Sequence, residues 1–150
     1  MSTSILIVDD DLGVRLMLSS VLNNEGYVVE TVKSGTEAIK ACKTSVFDVA
    51  LIDIKLPDVK GVDLLKKLKK LRPNMIKIII TGYPSLESAV KAINEKADGY
   101  ILKPFEVTDL LGQITKIKTE NTDMYLRISH EATLAKDDKF MTNFQQPRKI

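Results

Sequence analysis

The sequence lacks most features of an exported, membrane-bound or disulfide-stapled protein. Its one cysteine, Cys42, cannot form a disulfide within the chain, which favours a reducing, cytoplasmic setting. The first apolar run covers only residues 5–8 and is followed by acidic residues, so it is too short for a signal peptide. No later run approaches the ~18 apolar residues of a membrane-spanning helix. We therefore expect neither export nor membrane insertion.

The sequence also lacks the short motifs that identify common cofactor sites. It has no Gly-x-Gly-x-x-Gly, no Walker-type Gly-Lys-Ser/Thr loop, no His-Glu-x-x-His and no paired cysteines. Charge of one sign is not in excess either, because 22 Lys and Arg against 20 Asp and Glu give a net charge of +2. This balance offers no general attraction for nucleic acid or anionic lipid. Any electrostatic function must therefore be local.

Short apolar runs alternate with segments of helical periodicity five times along the chain. The runs, apolar on both faces, are residues 5–8, 28–29, 49–52, 76–80 and 100–102. The helical segments carry apolar residues at Val14, Met17, Leu18, Val21 and Leu22, then Ala38, Ile39 and Cys42, then Val62, Leu65, Leu68 and Leu71, then Ala89, Val90 and Ile93, then Val107, Leu110, Leu111, Ile114 and Ile117. This alternation predicts an α/β fold, a five-stranded parallel sheet doubly wound with five helices.

Boundary signals agree with this assignment. Asp11 is suited to cap the first helix, and Gly26 follows its expected end. Ser34 precedes the second helix and Ser85 the fourth. The basic run 66–72 contains leucines at helical spacing and no aromatic residues, so we interpret it as the solvated face of the third helix and expect no direct nucleic-acid partner.

Polar residues follow four of the predicted strands. The first strand runs into Asp9 and Asp10, the third ends at Asp53, the fourth at Thr81 and the fifth at Lys103. Sites in such sheets form where loops leave the carboxyl ends of the strands, so we expect these side chains to meet. Packing three carboxylates together is unfavourable unless cations compensate, and Lys103 supplies one positive charge. Oxygen ligands favour Mg²⁺ as the source of two more.

At such a site Asp53 is suited to attack phosphorus. A bound cation would screen its charge from an incoming anionic phosphoryl group. The acyl phosphate formed would carry about two negative charges in place of one. The Thr81 hydroxyl, the Lys103 ammonium and backbone N–H groups after Asp53 would donate to its oxygens, and Gly82 would leave room for their approach. The residues match a phosphoryl-accepting site.

At these residues the chain resembles the receiver domain of two-component response regulators. Four motifs carry the match: Ile-Val-Asp-Asp-Asp at 7–11, Leu-Ile-Asp-Ile-Lys-Leu-Pro-Asp-Val-Lys-Gly at 51–61, Ile-Thr-Gly at 80–82 and Tyr-Ile-Leu-Lys-Pro-Phe at 100–105. Each is weak alone, but four in order at these spacings are specific. The resemblance implies a flavodoxin-like sheet of order 2-1-3-4-5. It also implies a signalling switch, phosphorylated by a histidine kinase or phosphotransfer protein and read by a downstream protein.

The resemblance assigns the metal and the phosphoacceptor. It implies that Asp53 is the phosphoacceptor and that Asp10, Asp53 and the backbone carbonyl of Lys55 bind Mg²⁺, with Asp9 acting through water. Lys55 and Tyr83 match positions that the family uses to tune hydrolysis of the acyl phosphate. A long cation and a bulky ring there would hinder an in-line water, so we expect a long-lived phosphate.

The resemblance also assigns the switch. Thr81 and Lys103 would hold the phosphoryl group, and Tyr100 would be the rotating aromatic, although a buried strand aromatic with no switching role remains the alternative. The family has a cis peptide before the proline matching Pro104, which would aim Lys103 into the site. The output face would comprise the fourth helix, fifth strand and fifth helix, and would contact a protein partner or a second copy of the chain. Its charged residues are Lys91, Glu95, Lys103, Glu106 and Asp109.

Two other classes of function remain open. A phosphatase with an aspartyl intermediate usually has a second acid two residues after the nucleophile, where this chain has Lys55, and no substrate cap is evident. A pseudo-receiver would bind partners without phosphorylation, which the intact set of site residues argues against. We expect a protein that catalyses only its own phosphotransfer and dephosphorylation, rather than an enzyme.

The chain is expected to divide into a receiver domain, residues 1–119, and a tail, residues 120–150. The tail is too short for an output domain of ordinary size. Its apolar spacing through Met124 and Ile128, with Asn121 to set register, favours a fifth helix extended into a short coiled coil. Poor helix formers such as Thr122 favour a frayed or separately packed tail instead. Residues 145–150 are expected to be disordered.

Overall fold

A computed structural model describes residues 2–82 and 85–120 of the chain. The elements are β1 (Ser4–Val8), α1 (Leu12–Asn24), β2 (Val28–Val32), α2 (Gly35–Thr44), β3 (Val49–Asp53), α3 (Gly61–Leu71), β4 (Ile76–Thr81), α4 (Leu86–Asn94) and β5 (Gly99–Leu102). A fifth helix, α5, occupies residues 107–114, and the helical conformation extends through residue 120. The predicted alternation of strands and helices is confirmed.

The strands form one parallel sheet in the order β2-β1-β3-β4-β5, as predicted. Its register aligns the strand ends, because Val8 lies opposite Ile52 and Thr81 lies opposite Leu102. Asp53 itself pairs with Ile80, one residue before Thr81. The polar residues that end or follow β1, β3, β4 and β5 therefore leave the sheet at one side, called here the carboxyl edge.

The core lies on both faces of the two central strands. Every residue of β3 and β4 is buried, and most are β-branched, as suits a parallel sheet covered by helices. The helices contribute apolar side chains that are fully buried, namely Leu18 and Leu22 from α1, Leu64, Leu65 and Leu68 from α3, and Leu110 and Ile114 from α5. Lys66, Lys67 and Lys70 are exposed on the opposite side of α3, as the interpretation of the basic run requires.

The helix boundaries have the predicted local causes. The Asp11 side chain accepts a hydrogen bond from the backbone N–H of Val14 at 3.1 Å, which caps α1. Gly26 follows that helix with a φ of 92°, a conformation that favours glycine. Ser34 Oγ accepts from the N–H of Glu37 at 3.1 Å and caps α2.

Three apolar residues grouped with the inward helix faces are in fact exposed. Met17 of α1 is 44% exposed, and Val90 and Ile93 of α4 are 45% and 70% exposed. Among residues 89–94 of α4, whose burial is described, only Ala92 is fully buried, and it belongs to the hydrophobic core. The neighbouring residue is rotated by about 100° around the helix axis, and so Ile93 points away from the core.

The chain separates into two compact units, residues 1–114 and 115–150. In the second unit the described residues, 115–120, are helical, and Thr119 Oγ1 donates to the carbonyl of Thr115 at 2.9 Å. The predicted coiled coil, its register residue Asn121 and the predicted disorder of 145–150 lie outside the described residues. Within the described part of the chain, no helix is long and apolar enough to cross a membrane.

Candidate functional site

Three carboxylates meet at the carboxyl edge. Asp9 and Asp10 follow β1 and Asp53 ends β3, and one oxygen from each lies within 4.8 Å of the others. Asp9 is 3% exposed and Asp53 7% exposed, whereas Asp10 lies at the surface. The structure thus brings together the three acidic residues that the sequence placed at this edge.

Lys103 is the cation beside this cluster. Its Nζ lies 3.0 Å from Asp9 Oδ2 and 4.0 Å from Asp53 Oδ2. The peptide bond between Lys103 and Pro104 is cis, and the Lys103 N–H donates to the Thr81 carbonyl at 2.7 Å. The closer bond to Asp9 was not expected from the sequence, which assigned Lys103 to the phosphoryl group.

The pKa of the Asp53 carboxyl is raised above its ordinary value. Burial is the largest cause, and the negative charge of Asp9 adds to it. Lys103 opposes the shift, as does the Lys55 backbone N–H, which donates to Asp53 Oδ1 at 3.4 Å. Burial and the neighbouring carboxylates thus raise the pKa of Asp53 more than Lys103 and the Lys55 N–H lower it.

This donor set fits a hard divalent cation. Three clustered carboxylates supply oxygen ligands, and the raised pKa of Asp53 shows that added positive charge would be stabilising. Mg²⁺ prefers such oxygen ligands and retains part of its water shell, which suits a site with one exposed carboxylate, Asp10. Asp9, Asp10 and Asp53 could hold the ion.

Thr81 and Tyr100 lie on the two strands beside this site. Thr81 is fully buried at the end of β4. The half-buried Tyr100 packs against the core, and its hydroxyl is buried without a hydrogen-bond partner among the described residues. Burial raises the pKa of that hydroxyl. An unsatisfied buried hydroxyl costs about 1–3 kcal/mol, so this orientation of Tyr100 is held at a penalty.

Two supporting residues were missed by sequence reasoning. The Arg15 guanidinium donates to the Asp9 carbonyl at 2.8 Å, and Asp58 accepts hydrogen bonds from Gly35 and Thr36 at the start of α2. The signal for Arg15 was its place one helical turn after Asp11. Asp58 bonds to residues 22 or 23 positions earlier, which no local pattern indicates. Tyr83 lies outside the described residues.

Comparison with known proteins gives one consistent result. A model of the response regulator receiver domain matches residues 5–115. A CheY-like receiver domain protein from Methanospirillum hungatei superimposes with a TM-score of 0.80 at 43% identity, covering 83% of this chain and 99% of that one. The response regulator TrrA from Thermotoga maritima, solved in complex with Mg²⁺ and BeF, has a TM-score of 0.70 at 29% identity, covering 77% and 98%.

The curated relatives include larger proteins. The transcriptional regulatory protein ZraR from Escherichia coli K12 is 35% identical over 112 residues, or 75% of this chain. The chain spans about a quarter of that protein's length, since the match covers 25% of it. The family match, the sheet topology and the clustered site residues agree, and the chain belongs to the response regulator receiver domains, the phosphorylation switches of two-component systems.

Proposed function

We propose that Asp53 accepts a phosphoryl group from the phosphohistidine of a histidine kinase or phosphotransfer protein in a Mg²⁺-dependent reaction, and that a protein partner reads the result. The observation that carries this proposal is the charge imbalance at the carboxyl edge. Three carboxylates lie within 4.8 Å of one another, two of them are buried, and the Lys103 ammonium pairs with Asp9 and Asp53. A divalent cation and a phosphoryl acceptor together account for this arrangement.

Mg²⁺ would be held by Asp10, Asp53 and the Lys55 carbonyl, with Asp9 acting through water. When bound, it screens negative charge and polarises a phosphoryl oxygen. A carboxylate oxygen of Asp53 attacks phosphorus and forms the new P–O bond. The P–N bond to the donor histidine breaks, and its electron pair leaves with the imidazole nitrogen. The product is an acyl phosphate on Asp53.

Lys103 and Thr81 hold the transferred group. The Lys103 ammonium already lies 4.0 Å from Asp53 Oδ2, so a phosphoryl oxygen bound to Asp53 comes within hydrogen-bonding reach. The Thr81 hydroxyl, at the end of the adjacent strand, turns toward the same group. Its movement opens space into which Tyr100 rotates. The Tyr100 hydroxyl is buried in this structure, without a hydrogen-bond partner among the described residues.

The first turns of α1 suit a donor's docking surface. Leu12 and Leu16 are 59% and 61% exposed, and Met17 is also exposed. A donor must bring its phosphohistidine to Asp53, so it must cover the loop 9–11 that leads into this helix. An apolar helix face of the donor would bury these residues at the moment of transfer.

The output face is a second exposed apolar surface. Val90, Ile93 and Leu102 are exposed on α4 and β5, close in sequence to the charged residues Lys91 and Glu106. Apolar residues with a mixed-charge rim suit a protein partner or a second copy of this chain. We place the protein in the cytoplasm, where its free, buried Cys42 would stay reduced.

Phosphorylation by a small donor tests the assignment of Asp53. The full chain is incubated with acetyl phosphate, with and without Mg²⁺, and its intact mass is measured. We expect one phosphoryl group per chain, only with Mg²⁺, and none in Asp53→Asn. Retained modification in Asp53→Asn would refute the assignment. Rapid multiple turnover on a small phosphoester would favour the phosphatase. Failure of the wild type to become modified would favour the pseudo-receiver.

Leu16→Ser tests the docking surface. The variant removes exposed apolar area without touching the site, so its modification by acetyl phosphate should equal that of the wild type. Transfer from an autophosphorylated cognate histidine kinase should slow about 10-fold, the loss expected for one interface anchor. A docking role would be contradicted if Leu16→Ser slowed modification by both donors equally. It would also be contradicted if the kinase phosphorylated Leu16→Ser and the wild type at equal rates. Val46→Ser, at another apolar residue that is 72% exposed, is the matched control.

A further inference from the structure

Asp58 links two segments that are distant in sequence. It lies in the β3–α3 loop (residues 54–60), which follows the phosphoacceptor strand. Its Oδ1 accepts from the Gly35 N–H and its Oδ2 from the Thr36 N–H, both at 2.9 Å. The Thr36 hydroxyl donates to Oδ2 at 2.5 Å. One carboxylate therefore binds three donors at the N-terminus of α2.

Val59 packs against the same helical turn. A Cβ added to Gly35 would lie 2.2 Å from Val59 Cγ1, so the valine occupies the space that a side chain at residue 35 would need. Val59 is half-buried and contacts the hydrophobic core. The tip of the loop is thus fixed to α2 by a polar and an apolar contact side by side.

The base of the loop is closed as well. Lys55 and Lys60 form an antiparallel bridge, and the Gly61 N–H donates to the Ile54 carbonyl at 2.8 Å. A Cβ at Gly61 would lie 2.4 Å from the Asp53 carbonyl oxygen, so the end of the loop approaches the backbone of the phosphoacceptor itself. A displacement of the tip is therefore transmitted to Asp53 and Lys55.

We propose that Asp58 is a positioning residue, which holds the β3–α3 loop against α2 and so keeps the Lys55 backbone in the geometry that binds the cation. The inference rests on the proposed function, because it assigns Asp58 a part in the Mg²⁺ site. Asp58 touches neither the cation nor the phosphoryl group. It acts through the loop, in which Lys55 supplies an N–H to Asp53 and, by the proposal above, a carbonyl to Mg²⁺.

Helix capping alone does not account for Asp58. Ser34 already caps α2 from its own chain position, by accepting from the Glu37 N–H. A negative charge near a helix N-terminus is also favourable, and the three hydrogen bonds hold the pKa of Asp58 at about 2. Asp58 is therefore ionised at neutral pH, and its hydrogen bonds to α2 are retained there.

Mg²⁺ titration of three full-length proteins tests the proposal. Binding of Mg²⁺ is measured by calorimetry for the wild type, Asp58→Ala and Ser34→Ala. Both variants remove hydrogen-bond acceptors from the N-terminus of α2, but only Asp58→Ala frees the loop. We expect Asp58→Ala to weaken Mg²⁺ binding about 10-fold, as loss of outer-shell support does elsewhere, and Ser34→Ala to leave it unchanged.

A second measurement needs no metal. Amide hydrogen exchange of Lys55 and Gly61 in the Mg²⁺-free protein should quicken in Asp58→Ala and stay at the wild-type rate in Ser34→Ala. Asp58→Asn keeps one acceptor oxygen and should recover part of the Mg²⁺ affinity. Thr36→Val removes only the hydroxyl bond and should give a smaller loss.

The outcomes separate the two proposals. Equal Mg²⁺ affinity in Asp58→Ala and the wild type would overturn the positioning role while leaving the proposed function intact. Equal losses in Asp58→Ala and Ser34→Ala would also overturn it, because helix capping would then explain both. If the wild type binds no Mg²⁺, the proposed function fails, and the positioning role fails with it.

Discussion

The two ends of the sheet differ in the partners that the fold supplies to their charged groups. At the amino edge, where the strands begin, Lys77 is 2% exposed, yet its ammonium donates to the carbonyls of Arg72 and Met75, both at 2.7 Å. Asp98 accepts from the Lys77 N–H at 2.8 Å. Asp48 accepts from the Ser4 N–H at 2.8 Å. Each of these charged groups has a hydrogen-bond partner that the fold itself supplies.

At the carboxyl edge the same fold leaves charge uncompensated. Asp9, Asp10 and Asp53 cluster beside the Lys103 ammonium, which bonds to Asp9. Burial shifts the pKa of Asp53 upward and the pKa of Lys77 downward, so the two edges differ in the clustering of like charges and not in the pKa shifts. Burial of a charge therefore does not by itself indicate function here, since Lys77 is as buried as Asp9. Function is indicated where a buried charge lacks sufficient partners and a ligand can supply them.

Replacement of Lys77 should destabilise the protein at the amino edge and leave phosphorylation and Mg²⁺ binding at the carboxyl edge unchanged. Lys77→Ala leaves two buried carbonyls without their donor and a cavity beside them, so we expect a loss of about 3 kcal/mol in the free energy of unfolding. Lys77→Met fills the cavity and should lose less. Urea unfolding measures the change. Phosphorylation and Mg²⁺ affinity are measured under conditions in which each variant is folded, and they should stay at wild-type values. A loss of either alongside the loss of stability would contradict the distinction between the edges.

Two glycines at the carboxyl edge should respond differently to alanine. Gly61→Ala forces a Cβ toward the Asp53 carbonyl oxygen and the Ile54 Cα, at 2.4 and 2.7 Å, so the backbone must move. We expect a loss of about 2 kcal/mol in unfolding free energy together with weaker Mg²⁺ binding. Gly82→Ala places its Cβ 3.7 Å from Lys103 Cβ, an ordinary contact, and should change little. Equal effects in thermal melts and Mg²⁺ titrations would contradict this geometry.

The pH dependence of stability should reveal the uncompensated charge. Because the pKa of folded Asp53 lies above its ordinary value of 3.8, the folded state holds that proton more tightly than the unfolded chain. The contribution of Asp53 is thus most favourable at low pH and is lost as the pH rises through the raised pKa. In Mg²⁺-free melts from about pH 4 to pH 7, Asp53→Asn should gain stability relative to the wild type. A constant difference would mean that the charge is compensated.

The smallest effect concerns the lifetime of the phosphate. Lys55 is exposed beside the site. The side chains of Lys55 and Tyr83 are both expected to hinder an in-line water. Lys55→Ala and Tyr83→Ala should each speed loss of the acyl phosphate a few-fold, measured from intact mass over time with Mg²⁺ present. Lys33→Ala, at an exposed lysine outside the site, is the control. Unchanged rates of acyl phosphate loss in both site variants would contradict this prediction.

The fold was predictable because its signals are local or periodic. Strand-length apolar runs, helical spacing and caps such as Asp11 fixed the order of elements, and shared strand ends gathered Asp9, Asp53 and Lys103. Helix rotation was less predictable. Met17 and Ile93 fit an apolar stripe but are exposed, whereas the small residue Ala92 is buried.

The supports of the site were not predictable from the sequence. The bonds from Asp58 to α2 and from Lys103 to Asp9 join residues 22 to 94 positions apart, and many pairings of opposite or polar groups fit a sequence equally well. Lys77 interrupts the otherwise apolar run 76–80, and the sequence does not indicate that this lysine is buried. Its ammonium bonds to the carbonyls of Arg72 and Met75, five and two residues earlier, and no side-chain pattern indicates backbone acceptors.

Binding of Mg²⁺ to the full-length protein tests the charge imbalance most directly. Calorimetric titration at neutral pH should show one Mg²⁺ per wild-type chain. Asp53→Asn and Asp10→Asn should each weaken it at least about 10-fold, because each removes a ligand and part of the uncompensated charge. Lys77→Met, at the compensated edge, should bind as the wild type does. Mg²⁺ binding that is absent from the wild type, or unchanged in Asp53→Asn, would contradict the account.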